Sequence, residues 1–243
     1  MIHEYFKEVS RLLTMIEENE IKNMKTAAQM ISDVIQNDGV VYMFGCGHSH
    51  ILTEDMYYRA GGLVPVQPIL HGPVMLHEGP VTSSKLEKTN DYARTFITGY
   101  PITSKDLVIV ISTSGRNPVP VDVALYAEDK GAKTIGITSI EYSSRHTSRH
   151  TDGKKLMDCV DLVIDNHAPP GDAVMSHPDI QEKFSSSSTA TGSMILNSIF
   201  SEAVFIMKST GYEPPIFLSG NLDGSSNHNQ TLIDKYKERV KLD

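Results

Sequence analysis

Two runs of five apolar residues constrain this chain more than any other feature: Val40-Val41-Tyr42-Met43-Phe44 and Leu107-Val108-Ile109-Val110-Ile111. Neither alternates with polar residues, so neither suits a strand with one wet face. Each suits a strand buried on both sides, the kind found in parallel sheets covered by helices. Parallel neighbours also need a long crossover, usually a helix, and the sequence between the runs supplies helical patterns. Ile2, Phe6, Val9, Leu12, Leu13 and Ile16 repeat at three to four residues, as do Ile21, Met24, Ala27, Ala28, Ile31, Val34 and Ile35. These predict a pair of helices, a hairpin, stopped by Asn37-Asp38-Gly39.

The same alternation continues. The pattern predicts a helix to Ala60, a short strand from Leu63 to Val66, a helix from Ser83 to Tyr100, and one from Pro118 to Gly131. Further strands are expected at Thr134 to Thr138 and Leu162 to Asp165, and an apolar helix from Ala190 to Lys208. Tyr212 to Asn229 is rich in Pro, Gly, Ser and Asn and reads as loop, with a last helix from Leu232 to Val240. The expected fold is α/β: a doubly wound, three-layer αβα sandwich with a mostly parallel sheet and an N-terminal helical hairpin. Residues 1–38 form the hairpin, 39–211 the ligand-binding domain, and 212–243 a C-terminal loop and short helix. Ligands of such sheets sit at the carboxyl ends of the strands.

Charge narrows the partners. With 22 Lys and Arg against 30 Asp and Glu the formal charge is −8, the wrong sign for nucleic acid or an anionic membrane. The opening MIHEYFKEVSRLL carries Glu4 and Glu8 and no apolar h-region, and no run approaches 18 apolar residues. The two cysteines, Cys46 and Cys159, lie far apart, so the expectation is a reduced cytoplasmic protein.

Both apolar runs end in turns with chemistry. The second delivers Ser112-Thr113-Ser114-Gly115-Arg116-Asn117, with Pro118 starting a helix. Backbone N–H groups at such a turn lack partners, a helix N-terminus adds partial positive charge, and short hydroxyls add donors. Together they suit a phosphate-type anion without a lysine. A helix cap needs one hydroxyl, whereas three stand here in succession. The first run delivers Gly45-Cys46-Gly47-His48-Ser49-His50. It begins as G-x-G-x-x-G but places His50 at the third glycine, and no acid closes a following strand, so a nicotinamide cofactor is not expected. A P-loop is absent as well. His48, His50 and Glu54 could be grouped as ligands, and His146 and His150 share an i,i+4 spacing, but Arg145 and Arg149 accompany the latter pair. No set has convincing metal spacing, so neither metal nor cofactor is expected.

The pairing of Gly45-Cys46-Gly47-His48-Ser49 with Ser112-Thr113-Ser114-Gly115 resembles the SIS (sugar isomerase) domain, over about residues 20–210. Phosphoheptose isomerases, N-acetylmuramic acid 6-phosphate etherases and the isomerase half of glucosamine-6-phosphate synthase carry that domain. His77-Glu78-Gly79 and Ser84-Lys85-Leu86-Glu87 strengthen the likeness, to an SIS group of unassigned reaction called phosphoheptose isomerases. The resemblance implies a flavodoxin-like fold, a homodimer or homotetramer, and phosphate binding by Ser49, Ser112, Thr113 and Ser114. Gly47, His48, Gly115 and Asn117 complete the expected substrate-binding set. The isomerases and etherases place a glutamate ten residues after the serine of the first turn; here that place is Arg59.

Moving a proton between adjacent sugar carbons needs a group titrating near neutrality, which suits histidine or a desolvated glutamate. The candidates are His77 and Glu78 in the loop after the second strand, and Glu54 beyond Ser49. The sequence thus reads as a phosphosugar-binding protein, an aldose–ketose isomerase working through an enediol on a sugar phosphate such as a heptose phosphate. Two alternatives stand beside it: a lyase resembling N-acetylmuramic acid 6-phosphate etherase, and a non-catalytic phosphosugar sensor that regulates a protein partner.

Overall fold

The structure is a computed structural model that describes residues 1–242. One helix, α1 (Ile2–Gln36), leads into β1 (Val41–Gly45), α2 (Ser49–Asp55) and β2 (Val66–Pro68). After α3 (Pro80–Leu86) and α4 (Arg94–Ile97) come β3 (Leu107–Ile111), α5 (Pro118–Asp129), β4 (Lys133–Thr138), α6 (Ile140–Ser144) and β5 (Leu162–Asp165). An antiparallel pair, β6 (Ala173–His177) and β7 (Ile180–Ser186), precedes α7 (Ser188–Ser209), and α8 (Ser225–Tyr236) closes the chain.

The five main strands form one parallel sheet in the order β2-β1-β3-β4-β5. This is the doubly wound α/β arrangement. Its strand order reverses between β1 and β3, where the chain goes one way to β2 and the other way to β4. The register sets Val41 beside Leu107 and Gly45 beside Ile111, so both strands end at one level and both following turns leave the sheet side by side.

Continuous apolar runs make both faces core. Val41, Met43, Leu107, Ile109 and Ile111 face α1, α2 and α7; Tyr42, Phe44, Val108 and Val110 face α5 and the segment bearing α4. Each buried side chain of this size is worth about 1.5–3 kcal/mol relative to exposure. α7 is long and apolar enough to cross a membrane by length and composition, yet Ile195, Leu196, Ile199, Phe200, Ala203 and Met207 all lie in the core against the sheet and α1.

β2 lies at Val66–Pro68 rather than Leu63 to Val66, and α8 starts at Ser225, inside the stretch expected as loop, rather than at Leu232. Three further elements depart more widely from the sequence reading. The expected N-terminal hairpin is a single 35-residue helix. Its two apolar patterns are in phase, with Leu12, Ile16, Glu20 and Met24 each four residues apart and all buried. No Gly or Pro separates them, and Glu20 keeps its place because Asn23 Nδ2 donates to its Oε2 at 3.0 Å. The helix expected from Ser83 to Tyr100 is two short ones: Pro80 starts α3, and Asp91, in left-handed backbone at φ 61°, separates it from α4. The β6–β7 pair stands where only a polar loop was expected, and β7 is almost wholly exposed.

At the amino ends of the strands, Asp106 is fully buried and fully bonded. Its Oδ1 accepts from Val40 N (2.9 Å) and Arg239 Nη2 (2.7 Å), and its Oδ2 from Thr103 N (2.8 Å) and Thr103 Oγ1 (2.9 Å).

Candidate functional site

A cavity of about 430 Å³ opens at the carboxyl ends of β1 and β3, where the strand order reverses. Open α/β sheets bind ligands at this place. A larger cavity of about 610 Å³ lies beyond α5, between Asp91, Asp122 and His150, away from the strand ends and both glycine turns.

The floor of the 430 Å³ cavity is the turn after β3. Three of its carbonyls are committed: Thr113 O accepts from Ser139 N (2.9 Å) and Thr138 Oγ1 (3.3 Å), Gly115 O from Leu156 N (2.8 Å), and Arg116 O from Arg149 N (2.9 Å). The N–H groups of Thr113 and Ser114 have no acceptor among the described residues, and neither has the Ser114 hydroxyl. A turn with most of its carbonyls turned to the protein and two successive amides free is a nest for an anion. Gly115 makes the turn possible: its φ is +58°, and a Cβ there would stand 2.6 Å from Thr138 Oγ1.

The facing wall is the turn after β1. Gly47 N donates to Val74 O (2.9 Å) and Ser49 N to Cys46 O (3.0 Å), while the Ser49 hydroxyl has no partner among the described residues. Gly45 is needed because a Cβ would meet the Ser49 backbone at 2.6 Å. The two turns therefore present Ser49 and Ser114 to one cavity with their hydroxyls uncommitted.

Of the substrate-binding residues read from the sequence, Gly47, His48, Ser49, Ser112, Thr113, Ser114 and Asn117 all line this cavity; Gly115 supports the turn beneath it. The acid–base candidates do not line it. His77 and Glu78 are exposed in the loop after β2, with the His77 ring 6.4 Å from that of His50. Glu54 is exposed on α2, its Oε2 3.9 Å from His50 Nε2. Arg59 pairs with Asp55 and lines a separate hollow beside α7.

The sequence reading missed Glu87 and Asp172 as cavity residues. Glu87 follows α3, partly buried. Burial pushes its carboxyl pKa up, against a hydrogen bond from Asn117 and the charges of Lys88 and Arg149. Beside it the Cys46 thiol is pushed well up, first by burial and then by the charge of Glu87. Asp172 closes the other side with four bonds to the start of α7: Ser187 N (3.1 Å), Ser187 Oγ (3.1 Å), Ser188 N (2.8 Å) and Ser188 Oγ (2.6 Å). Both oxygens of Asp172 are thus engaged, whereas Glu87 has one oxygen to spare. The one signal for Glu87 was its place in Ser84-Lys85-Leu86-Glu87, which says nothing about direction.

A wall of this kind can hold a phosphate on amides and hydroxyls and set a carboxyl against the attached carbon chain.

Comparison with known proteins places the chain in context. The model of a family described as the SIS domain matches residues 4–139. A UPF0309 protein of Geobacillus kaustophilus is 55% identical over 240 residues, 99% of this chain and 96% of that one. Among solved structures, the phosphoheptose isomerase of Neisseria gonorrhoeae superposes with a TM-score of 0.56 at 14% identity, covering 83% of this chain and 96% of its own. The sugar isomerase domain of an RpiR transcription factor from Sphaerobacter thermophilus superposes with a TM-score of 0.54 at 10% identity, covering 98% of each. At such identities the two structures show a shared fold.

Proposed function

The chain belongs to the SIS domain family, and from that premise we propose that it binds a phosphosugar at the carboxyl ends of β1 and β3 and isomerises it between aldose and ketose forms. The family match supports phosphosugar binding. The observation that carries the reading is the turn after β3, with most of its carbonyls committed and the Thr113 and Ser114 amides free, facing an uncommitted Ser49 hydroxyl. The phosphate rests on that turn, and the sugar extends past Ser49 and Asn117. Isomerisation then needs only a group on the cavity wall that takes a proton from one carbon and returns it to its neighbour. Assembly as a homodimer or homotetramer belongs to this proposal, since Ile2 and Phe6 on α1 and Met194 and Phe205 on α7 leave apolar surface exposed.

The test is a thermal-shift screen with hexose, hexosamine and heptose phosphates, repeated on the double variant Ser112→Ala, Ser114→Ala. At least one phosphosugar should raise the melting temperature of the parent, and that rise should shrink by most of its size in the variant. No rise with any of them, or an equal rise in both proteins, ends the reading. A sensor without chemistry is the second reading; the DNA-regulator domain of the same fold is its support. Binding without turnover would select it.

A further inference from the structure

A hydrogen-bond relay runs from exposed Arg149 through buried Asn117 to half-buried Glu87 on the cavity wall. Arg149 Nη1 donates to Asn117 Oδ1 at 2.9 Å, and Asn117 Nδ2 donates to Glu87 Oε1 at 2.8 Å. Asn117 is 6% exposed, and both ends of its amide are bonded to the chain. The guanidinium decides which end of that amide is which. It can only donate, so the carbonyl oxygen faces Arg149 and the NH2 faces Glu87.

The source of the relay is itself clamped. Arg149 N donates to Arg116 O, and Asn90 braces the segment through Arg149 O (3.4 Å) and Thr151 N (2.9 Å). Next along, His150 Nε2 meets Asp122 Oδ1 at 3.0 Å. Glu87 therefore receives a fixed donor on Oε1. Its Oε2 has no partner among the described residues, and Glu87 is one of the residues lining the cavity.

Resting on the isomerase reading, we infer that Glu87 is the catalytic residue that moves the proton and that Arg149, acting through Asn117, is the residue that positions it. In the forward step Glu87 Oε2 takes the proton from the carbon next to the carbonyl. That C–H electron pair becomes the C=C bond of an enediolate, and the carbonyl π pair moves onto the carbonyl oxygen. That oxygen then takes its proton from the hydroxyl on the deprotonated carbon, whose O–H pair forms the second carbonyl as the C=C pair picks up a proton. While the intermediate is held, the Glu87 carboxyl proton exchanges with water in the open cavity, and Glu87 then delivers a proton to the neighbouring carbon, so solvent deuterium enters the sugar and no net acid, base or oxidant enters the balance. Glu87 is suited to both halves because burial weakens its hold on charge while Asn117 keeps ionisation within reach. The charged and titrating groups facing it are Lys88, Arg149 and Cys46, with His48, Tyr142 and Asp172 across the cavity.

The experiment compares the full-length parent with Glu87→Gln, Arg149→Met and Arg149→Lys, using the phosphosugar that gives the largest thermal shift. Three readouts are taken: that shift, deuterium uptake from heavy water into the sugar carbons, and the titration of Glu87 followed by carboxyl-carbon NMR. Glu87→Gln should keep the thermal shift and lose deuterium uptake by about 10²–10⁴-fold. Arg149→Met should slow uptake about tenfold with little change in KM, raise the Glu87 titration, and carry the acid limb of the rate profile up with it. Arg149→Lys should restore part of both. Undiminished uptake in Glu87→Gln overturns the catalytic role while leaving phosphosugar binding in place. An unmoved Glu87 titration in Arg149→Met overturns the relay, whether or not any sugar turns over. Failure of the parent to exchange deuterium into a sugar it binds removes the isomerase reading and the catalytic role together.

Discussion

The two ends of the sheet treat polar groups in opposite ways. At the amino ends Asp106 has no exposed surface, and four donors from Val40, Thr103 and Arg239 occupy both its oxygens. At the carboxyl ends the Thr113 and Ser114 amides, the Ser49 and Ser114 hydroxyls and one Glu87 oxygen have no partner among the described residues. A buried polar group costs free energy unless it is bonded, so a saturated network holds the fold and an unsaturated one at a cavity awaits a ligand. The difference separates structural from functional polarity without reference to any relative.

Four substitutions test that separation. The largest effect is expected at the foot of the sheet: Asp106→Ala strands Arg239 and two backbone amides and should cost about 3–5 kcal/mol in urea denaturation. The folded fraction should still bind phosphosugar with parental affinity; a loss there would mean the two ends are coupled. Gly115→Ala comes next, because left-handed backbone and a 2.6 Å approach to Thr138 Oγ1 act together. A cost of about 2–3 kcal/mol is expected, together with loss of the phosphosugar thermal shift. Gly47→Ala is smaller. Its φ is +54° but nothing lies within 4 Å of the added carbon, so only the backbone cost of about 1–2 kcal/mol should be read in the melt.

The smallest effect has the opposite sign. Because the folded pKa of Glu87 is raised by burial, the folded protein binds more protons than the unfolded chain as Glu87 titrates. Its ionisation therefore withdraws stability as pH rises from the ordinary carboxylate range through the raised value. Glu87→Gln removes that withdrawal. Melting curves should show the variant more stable than the parent near about pH 8 and equal to it below about pH 4. Equal melting at both pH values would mean Glu87 meets no burial penalty.

The sheet was readable from the sequence because both of its central strands are apolar on both faces, and the two turns because glycine and serine have few other reasons to cluster at a strand's end. The residues lining the cavity from those turns followed directly. What could not be read is set by contacts distant in sequence. Asn117 joins Glu87 to Arg149 across 30 and 32 positions, and no periodicity encodes which way a side chain just past the short helix α3 will face. The single α1 was missed because a polar residue on its stripe, Glu20, reads as a break until its burial is seen. The β6–β7 pair was missed because exposed strands carry no apolar signature; only His177-Pro178-Asp179 hinted at a reversal.

That pair has a wider consequence. Its two ends are stitched together at Asp172, which bonds Ser187 and Ser188 before and after the arm has made its excursion. Met175 is buried and Tyr5 holds Ser186 O, but the tip of the arm, from 176 to 183, is exposed and lies beyond the rim that those anchors build. Residues 176–183 are thus a port: the exposed tip can be shortened, lengthened or replaced by a reporter segment, while α7 still begins at the cavity rim.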